Sequence, residues 1–266
     1  MRIMTRITLL TDFGTADGYV AAMKGVIAAI TPDAVVDDAT HDIPPGDIEA
    51  GALALSRYWR LYPAGTVHVA VVDPGVGGGR RAIAARVDGR LFVAPDNGLL
   101  TRVLAEAPAD AAVSIEAPAF LRDEVSATFH GRDVFAPAAA HLARGVALDA
   151  LGPALAEPVR LPQPEPLRGR GHIHGRVVHV DRFGNLITDV PGAWIGPDAR
   201  VVVAGTDVGP MRRTYADVTP GRPLALVGST GMLEVSVRDG SAAEKLGAGR
   251  GTAVRVHDQE AARGAR

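Results

Sequence analysis

The 266-residue sequence has no cysteine. That excludes disulfide bridges, a thiol nucleophile and thiolate metal sites together. Lysine is nearly missing as well: Lys24 and Lys245 are the only two, and the other basic residues are arginine. With the abundant alanine, this reads as genomic base bias and not as a binding patch. The net charge of −2 provides no electrostatic footprint for nucleic acid or an anionic membrane. No apolar run approaches the roughly 18 residues of a membrane-spanning helix. The opening MRIMTRITLL is too short and too polar for a signal peptide, so the cytoplasm is the expected location. Walker-type lysine, HExxH and G-x-S-x-G patterns are all missing. What remains is 47% hydrophobic and 22% charged, normal for a soluble globular protein of one large or two ordinary domains.

Hydrophobic periodicity divides the chain into two kinds of structure. Ile7–Leu10 reads as a buried strand, followed by a helix from Gly18 to Ile30 that stops at Thr31-Pro32. A short strand at Val35-Val36, a helix over Ile48–Tyr58 and a strand over Thr66–Asp73 come next. Ala82–Val87 and Leu91–Ala94 read as strands joined by the turn Asp88-Gly89. Helices are expected at Gly98–Ala105 and Val134–Ala143. This pattern predicts an α/β N-terminal domain, layered, with a mostly parallel sheet and flanking helices, over residues 1–158. The proline-, arginine- and glycine-rich residues 159–171 read as a linker. Residues 172–266 then carry short β-branched runs bounded by turns, which predicts a mostly antiparallel β C-terminal domain.

Several residues invite chemistry. Asp12 and Asp73 each follow a predicted strand, the place where α/β sheets put ligands. Asp12 could hold a ribose diol or serve as a cap or turn residue; Asp17 could cap the following helix. The stretch Asp73-Pro-Gly-Val-Gly-Gly-Gly-Arg80 is a loop, but it has arginine where a dinucleotide fingerprint has glycine, and it leads into a strand. A structural turn and a ligand loop both remain open for it. His130 lies in a loop beside Phe129 and Gly131, before an apolar helix whose N-terminus Asp133 would occupy. His41 competes with it for a functional role. Ser229, directly after Gly228, suits a ligand-binding turn better than a nucleophile elbow.

Six segments carry these residues in order: TDFGTADGYVAAMKG (11–25), VVDPGVGGGR (71–80), FVAPDNGLL (92–100), TFHGRDVFAPAAAHLA (128–143), DRFGNLITD (181–189) and GSTGMLEVSVRDGSAAEKLG (228–247). Together they resemble the S-adenosylmethionine hydroxide adenosyltransferases, hydrolytic relatives of the fluorinase and chlorinase, over nearly the whole chain. The resemblance implies that S-adenosylmethionine (SAM) and water give adenosine and L-methionine, with SAM as substrate and no further cofactor or metal. It implies a homotrimer, with each active site between the N-terminal domain of one subunit and the C-terminal domain of its neighbour; the charge and hydropathy already leave no nucleic-acid or membrane partner expected. By position, Asp73, Arg80 and His130 match the family's water-handling trio, with Arg81 an adjacent competitor for the arginine. Asp12 matches the ribose-diol carboxylate. Asn185, Ser229, Glu234 and Val237 match adenosine contacts, Asp181 a methionine contact, and Tyr215 an adenine-stacking aromatic. Asp17, Phe129 and Gly131 complete the expected substrate site. A halogenase, or a SAM- or adenosine-binding protein without turnover, are the alternatives. The halogenases differ in the Asp73 loop and at His130, where this chain keeps the hydrolase pattern.

Overall fold

The structure is a computed structural model that describes residues 5–257. The first four residues of the strand-like opening and residues 258–266 of the expected C-terminal domain lie outside the described residues. The chain forms two compact units, Met1–Pro162 and Gln163–Arg266.

In the first unit, strands β1 (Arg6–Thr11), β2 (Val35–Thr40), β3 (Val67–Val71), β4 (Ala82–Val87), β5 (Arg90–Pro95) and β6 (Ala111–Ser114) form one sheet in the order β2-β1-β3-β5-β4-β6. The pairs β1–β2, β1–β3 and β3–β5 are parallel; β4 runs against both of its neighbours. Helices α1 (Tyr19–Ile30), α2 (Ile48–Ser56), α3 (Thr101–Glu106) and α4 (Ala136–Ala143) cover the sheet. Successive residues of a strand face opposite sides. Ile7 and Leu9 of β1 accordingly pack with α1 and α4, while Leu10 packs with α2 and α3. Val20, Met23 and Ile27, spaced by three and four residues, form the buried stripe of α1. Gly51 lets α2 lie close on the sheet, since a Cβ there would meet Val72 and Leu99 within 3 Å.

The chain leaves β1 for β2 on one side and returns to β3 on the other. The crevice beyond the carboxyl ends of β1 and β3 is therefore a topological switch point, where open α/β sheets bind ligands. Asp12 and Asp73 follow those two strands.

The second unit is an antiparallel β sheet curled into a near-barrel. Strands β7 (Leu167–Gly169), β8 (His172–Val180), β9 (Leu186–Pro191), β10 (Arg200–Val203), β11 (Thr206–Pro210), β12 (Pro223–Val227), β13 (Met232–Val237) and β14 (Ala253–His257) take the order β11-β10-β14-β8-β9-β13-β12, with β7 on β8. A bridge from Met211 to Ala225 brings the two ends of the sheet together. Alternating Val201, Val203, Leu233, Val235, Val254 and Val256 fill its interior. One short helix, α5 (Ala242–Leu246), starts at Ser241, whose hydroxyl accepts the Glu244 N–H.

Some elements differ from the sequence expectations. β2 extends to Thr40, and the helix from Ile48 ends at Ser56 before a short turn over Trp59–Leu61. β7 lies within the stretch read as a linker; β6, β11 and α5 are elements the periodicity did not mark. They are short, and pairing defines them more than composition does.

Candidate active site

A cavity of about 610 Å³ opens at the switch point, with Asp12, Asp73, Phe129, His130 and Gly131 in its wall. Phe13, Tyr19, Gly46 and Thr128 also line it. Every lining residue belongs to the first unit.

Asp73 stands just beyond β3. Asn97 holds the strand end by donating from Nδ2 to the Val72 carbonyl at 2.8 Å. Two consecutive turns follow, Val76 N–H to Asp73 O and Gly78 N–H to Gly75 O, and they return the chain so that Arg80 meets Asp73. Arg80 Nε donates to both carboxylate oxygens at 2.9 and 3.0 Å, and Nη2 donates to Oδ2 as well. The same Nη2 lies 2.7 Å from His130 Nδ1. A guanidinium can only donate. His130 Nδ1 is therefore the acceptor, and a neutral ring carries its proton on Nε2. Burial and then the Arg80 charge hold the His130 pKa below its ordinary value, against the opposing pull of Asp73 and Asp133. Arg80 is not part of the cavity wall; it sits behind Asp73 and His130 and braces both. Arg81 turns away to the buried Asp96, with Nε 2.8 Å from Oδ2. Of the two neighbouring arginines, Arg80 is the one joined to Asp73 and His130.

His130 is held from the other side by an unusual helix start. It is the residue that caps a π turn over Gly131–Phe135 and is not in the preceding loop. Such turns are rare and frequent at functional sites. Pro137 has no N–H for the Asp133 carbonyl four residues earlier, and the Arg122 N–H takes that carbonyl at 3.0 Å. The Asp133 carboxylate is wholly buried and receives Arg132 Nε at 2.7 Å, Arg132 Nη2 at 2.9 Å, Arg122 Nη1 at 3.0 Å and the Ser126 N–H at 2.9 Å. Asp133 thus stands near the helix N-terminus as expected, and its carboxylate is the knot that ties residues 122–133 into the cavity rim. Gly131 packs closely: a Cβ there would sit 3.0 Å from the Phe13 ring and 3.3 Å from Met23 Sδ, so the ring or the thioether would have to shift slightly.

On the β1 side, Asp12 Oδ2 accepts the Gly46 N–H at 2.8 Å. Asp17 is exposed and does not cap α1, which begins at Gly18 with no side-chain cap. Phe13, Tyr19 and Phe129 form a trio of edge-to-face rings, with centroids 5.1 to 6.0 Å apart. Neither Phe13 nor Tyr19 stood out in the sequence, although both lie in the motif 11–25; aromatic residues near a strand end read as ordinary core.

The second unit holds the other expected residues. Asp181 Oδ1 accepts the N–H groups of Phe183 and Asn185, both at 2.9 Å, and Oδ2 accepts Asn185 Nδ2 at 3.0 Å. Gly184 makes that turn possible, with φ +81° and Ser241 Oγ 2.2 Å from where a Cβ would stand. Tyr215 donates from its hydroxyl to Glu234 Oε1 at 2.6 Å, and Ser236 donates to the same oxygen at 2.8 Å. That bond to the carboxylate, with burial, raises the Tyr215 pKa to about 12. Ser229 is exposed in the turn between β12 and β13. Val237 is buried in the unit's core, so its side chain faces inward.

Known proteins bear directly on this arrangement. The family model described as the SAM hydroxide adenosyltransferase N-terminal domain matches residues 7–152, and that of the C-terminal domain matches residues 175–255. The chain belongs to the SAM hydroxide adenosyltransferase family. The (R)-S-adenosyl-L-methionine hydrolase of Salinispora tropica is 44% identical to this chain over 254 residues, covering 94% of this chain and 97% of the relative. The fluorinase of Nocardia brasiliensis is more distant, at 29% over 288 residues and 94% of this chain. A crystal structure of an uncharacterized conserved protein from Thermotoga maritima superposes with a TM-score of 0.90, at 34% identity, over 94% of this chain and 99% of that one. Among the described residues no group of three or more His, Asp or Glu could hold a metal ion, and no helix is long and apolar enough to cross a membrane.

Proposed function

We propose that this adenosyltransferase hydrolyses S-adenosyl-L-methionine to adenosine and L-methionine. The observation that carries the reading is the Asp73–Arg80–His130 cluster, whose carboxylate and imidazole line the switch-point cavity. The identity to SAM hydrolases, higher than to a fluorinase, supports water over halide as the nucleophile.

The chemistry is an in-line displacement at C5′. A bond forms from the water oxygen to C5′, the C5′–sulfonium bond breaks, and methionine leaves with the electron pair as a neutral thioether. Such a leaving group needs no proton. The proton must instead leave the water, whose bulk pKa is about 15.7. Asp73 accepts a hydrogen bond from the water and orients its oxygen. Arg80 is a positioning residue, always charged, that fixes Asp73 and His130 in register. His130, kept neutral by burial and by Arg80, accepts from Arg80 at Nδ1 and donates from Nε2 to the water oxygen, while the Asp73 carboxylate takes up the departing proton and passes it to solvent. The aromatic wall of Phe13, Tyr19 and Phe129 limits water near the sulfonium, which favours a step in which opposite charges cancel.

Asp12 binds the ribose diol in this reading, with Oδ1 and the remaining lone pairs of Oδ2 available beside the Gly46 bond. Asp17, Phe129, Gly131, Asp181, Asn185, Tyr215, Ser229, Glu234 and Val237 complete substrate binding, the last through its main chain. The same reading makes the protein a cytoplasmic homotrimer with interfacial active sites, SAM being its substrate and no cofactor being needed. Incubation with SAM in chloride-free and chloride-containing buffer, with product separation, tests the function. Adenosine, methionine and one proton per turnover are expected in both. A chlorinated nucleoside, or binding with no product, would overturn the reading.

A further inference from the structure

Behind the cavity, a second histidine, in the loop after β2, packs against the loop that carries Asp12. His41 follows β2 and is 6% exposed. Its Nδ1 lies 2.8 Å from Thr11 Oγ1, and that same oxygen accepts the Phe13 N–H at 3.2 Å. A carboxylate can only accept, so the Asp38 carboxylate facing Nε2 favours the ring proton there and leaves Nδ1 to accept from the Thr11 hydroxyl. Nε2 faces Asp38 Oδ1 at 3.0 Å, an ion-pair distance without a well-formed hydrogen bond. Asp38 Oδ2 in turn holds Lys24 Nζ at 2.6 Å, on the outer face of α1. The His41 carbonyl also accepts the Gly14 N–H at 2.9 Å.

Residues 11, 13 and 14 are therefore all tied, directly or through Thr11, to one histidine, and Asp12 is the residue between them. Asp12 receives its own bond from Gly46, on the segment that His41 begins. The two loops are cross-laced at both ends around a single carboxylate. His41 itself is not in the cavity wall, so it does not touch the substrate there.

We infer that His41 is a positioning residue for substrate binding: through Thr11 and Gly14 it holds the Asp12 carboxylate at the angle the ribose requires. This rests on Asp12 binding the ribose diol. The imidazole suits the task because its two ring nitrogens lie on opposite edges, one able to accept from Thr11 and the other to face Asp38. Losing one such buried polar link is worth about 5- to 10-fold in an equilibrium constant.

The test is a kinetic cycle with SAM. His41→Ala is expected to raise KM about 5- to 10-fold with kcat within about 3-fold, since Asp73 and His130 are untouched. His41→Asn keeps an acceptor near the Nδ1 position and should recover most of the loss. Thr11→Val removes the hydroxyl link while leaving the ring in place, and should reproduce the KM effect if His41→Ala does not fold. In the Asp12→Ala background, His41→Ala should add nothing. Three results decide against the inference. An unchanged KM in His41→Ala or Thr11→Val overturns it. So does a double variant whose effects multiply, which would leave the ribose contact standing and make His41 merely structural. If Asp12→Ala leaves KM unchanged, the ribose reading fails and the inference falls with it.

Discussion

Gly77 offers a sharp test of how the backbone builds the site. It has φ +75°, and a Cβ placed on it would lie 2.2 Å from the carbonyl oxygen of Ala127. Ala127 belongs to the segment that Asp133 ties down just before His130. The glycine loop that returns Arg80 to Asp73 thus touches the segment that delivers His130, and no side chain fits between them. Gly77→Ala carries two costs. Left-handed backbone costs a non-glycine residue about 1–2 kcal/mol. The overlap must also be relieved from 2.2 Å to the 3.4 Å where ordinary contact begins, a displacement of about 1 Å against backbone. Misplacing a reacting group by about 1 Å can lower the rate on the order of 10²-fold. We expect Gly77→Ala to lose about 1–3 kcal/mol of stability in denaturant unfolding and to drop kcat by about 10- to 100-fold in an adenosine-release assay. Gly79→Ala is the control: a Cβ there meets nothing within 4 Å, and it should behave as wild type. A folded Gly77→Ala protein with kcat within about 3-fold of wild type would refute the idea that this contact sets the Arg80–His130 register.

Other expectations follow from the same geometry. Asp73→Asn and His130→Ala should each lower kcat by about 10²-fold or more, measured by methionine release; near-normal turnover in both would end the water-activation role. The acid limb of the pH–rate profile should lie below the ordinary histidine value of 6.5, because burial and Arg80 favour neutral His130; activity is retained down to that lowered pKa and lost below it. Arg80→Gln should move this limb upward, and an unshifted limb would assign it to another group. His68 is wholly buried between Tyr58, Tyr62 and Phe92, with its pKa lowered to about 4 by burial and then by Arg90. The unfolded chain binds that proton more readily, so stability should fall by about 3 kcal/mol as pH drops from 6.5 towards 4. Urea unfolding of wild type against His68→Gln at pH 7.5 and 4.5 measures it; an equal pH dependence in both proteins would exclude His68 as the source.

Much of this protein was legible from its residue pattern. Alternation and helical spacing located β1, β3, β4 and β5 and helix α1, because each buries a regular apolar face that leaves a period in the sequence. The motifs marked the residues that line the cavity for a related reason: Asp12, Asp73 and His130 stand at the termini of strands and helices, so they fall beside turn residues that sequence reveals. Local pattern could not say which way Arg80 and Arg81 turn. That depends on the Asp73 and Asp96 carboxylates, brought near by different strands. Nor could it show Asp133 as a buried knot, since the carbonyl freed by Pro137 finds its partner only when residue 122 folds back. The role of His41 was hidden for the same reason, for Thr11 reaches it from another strand and Asp38 links it to Lys24 on α1. Residue type and local order determined the elements and the reactive groups; distances between side chains far apart in sequence decided what those groups can do together.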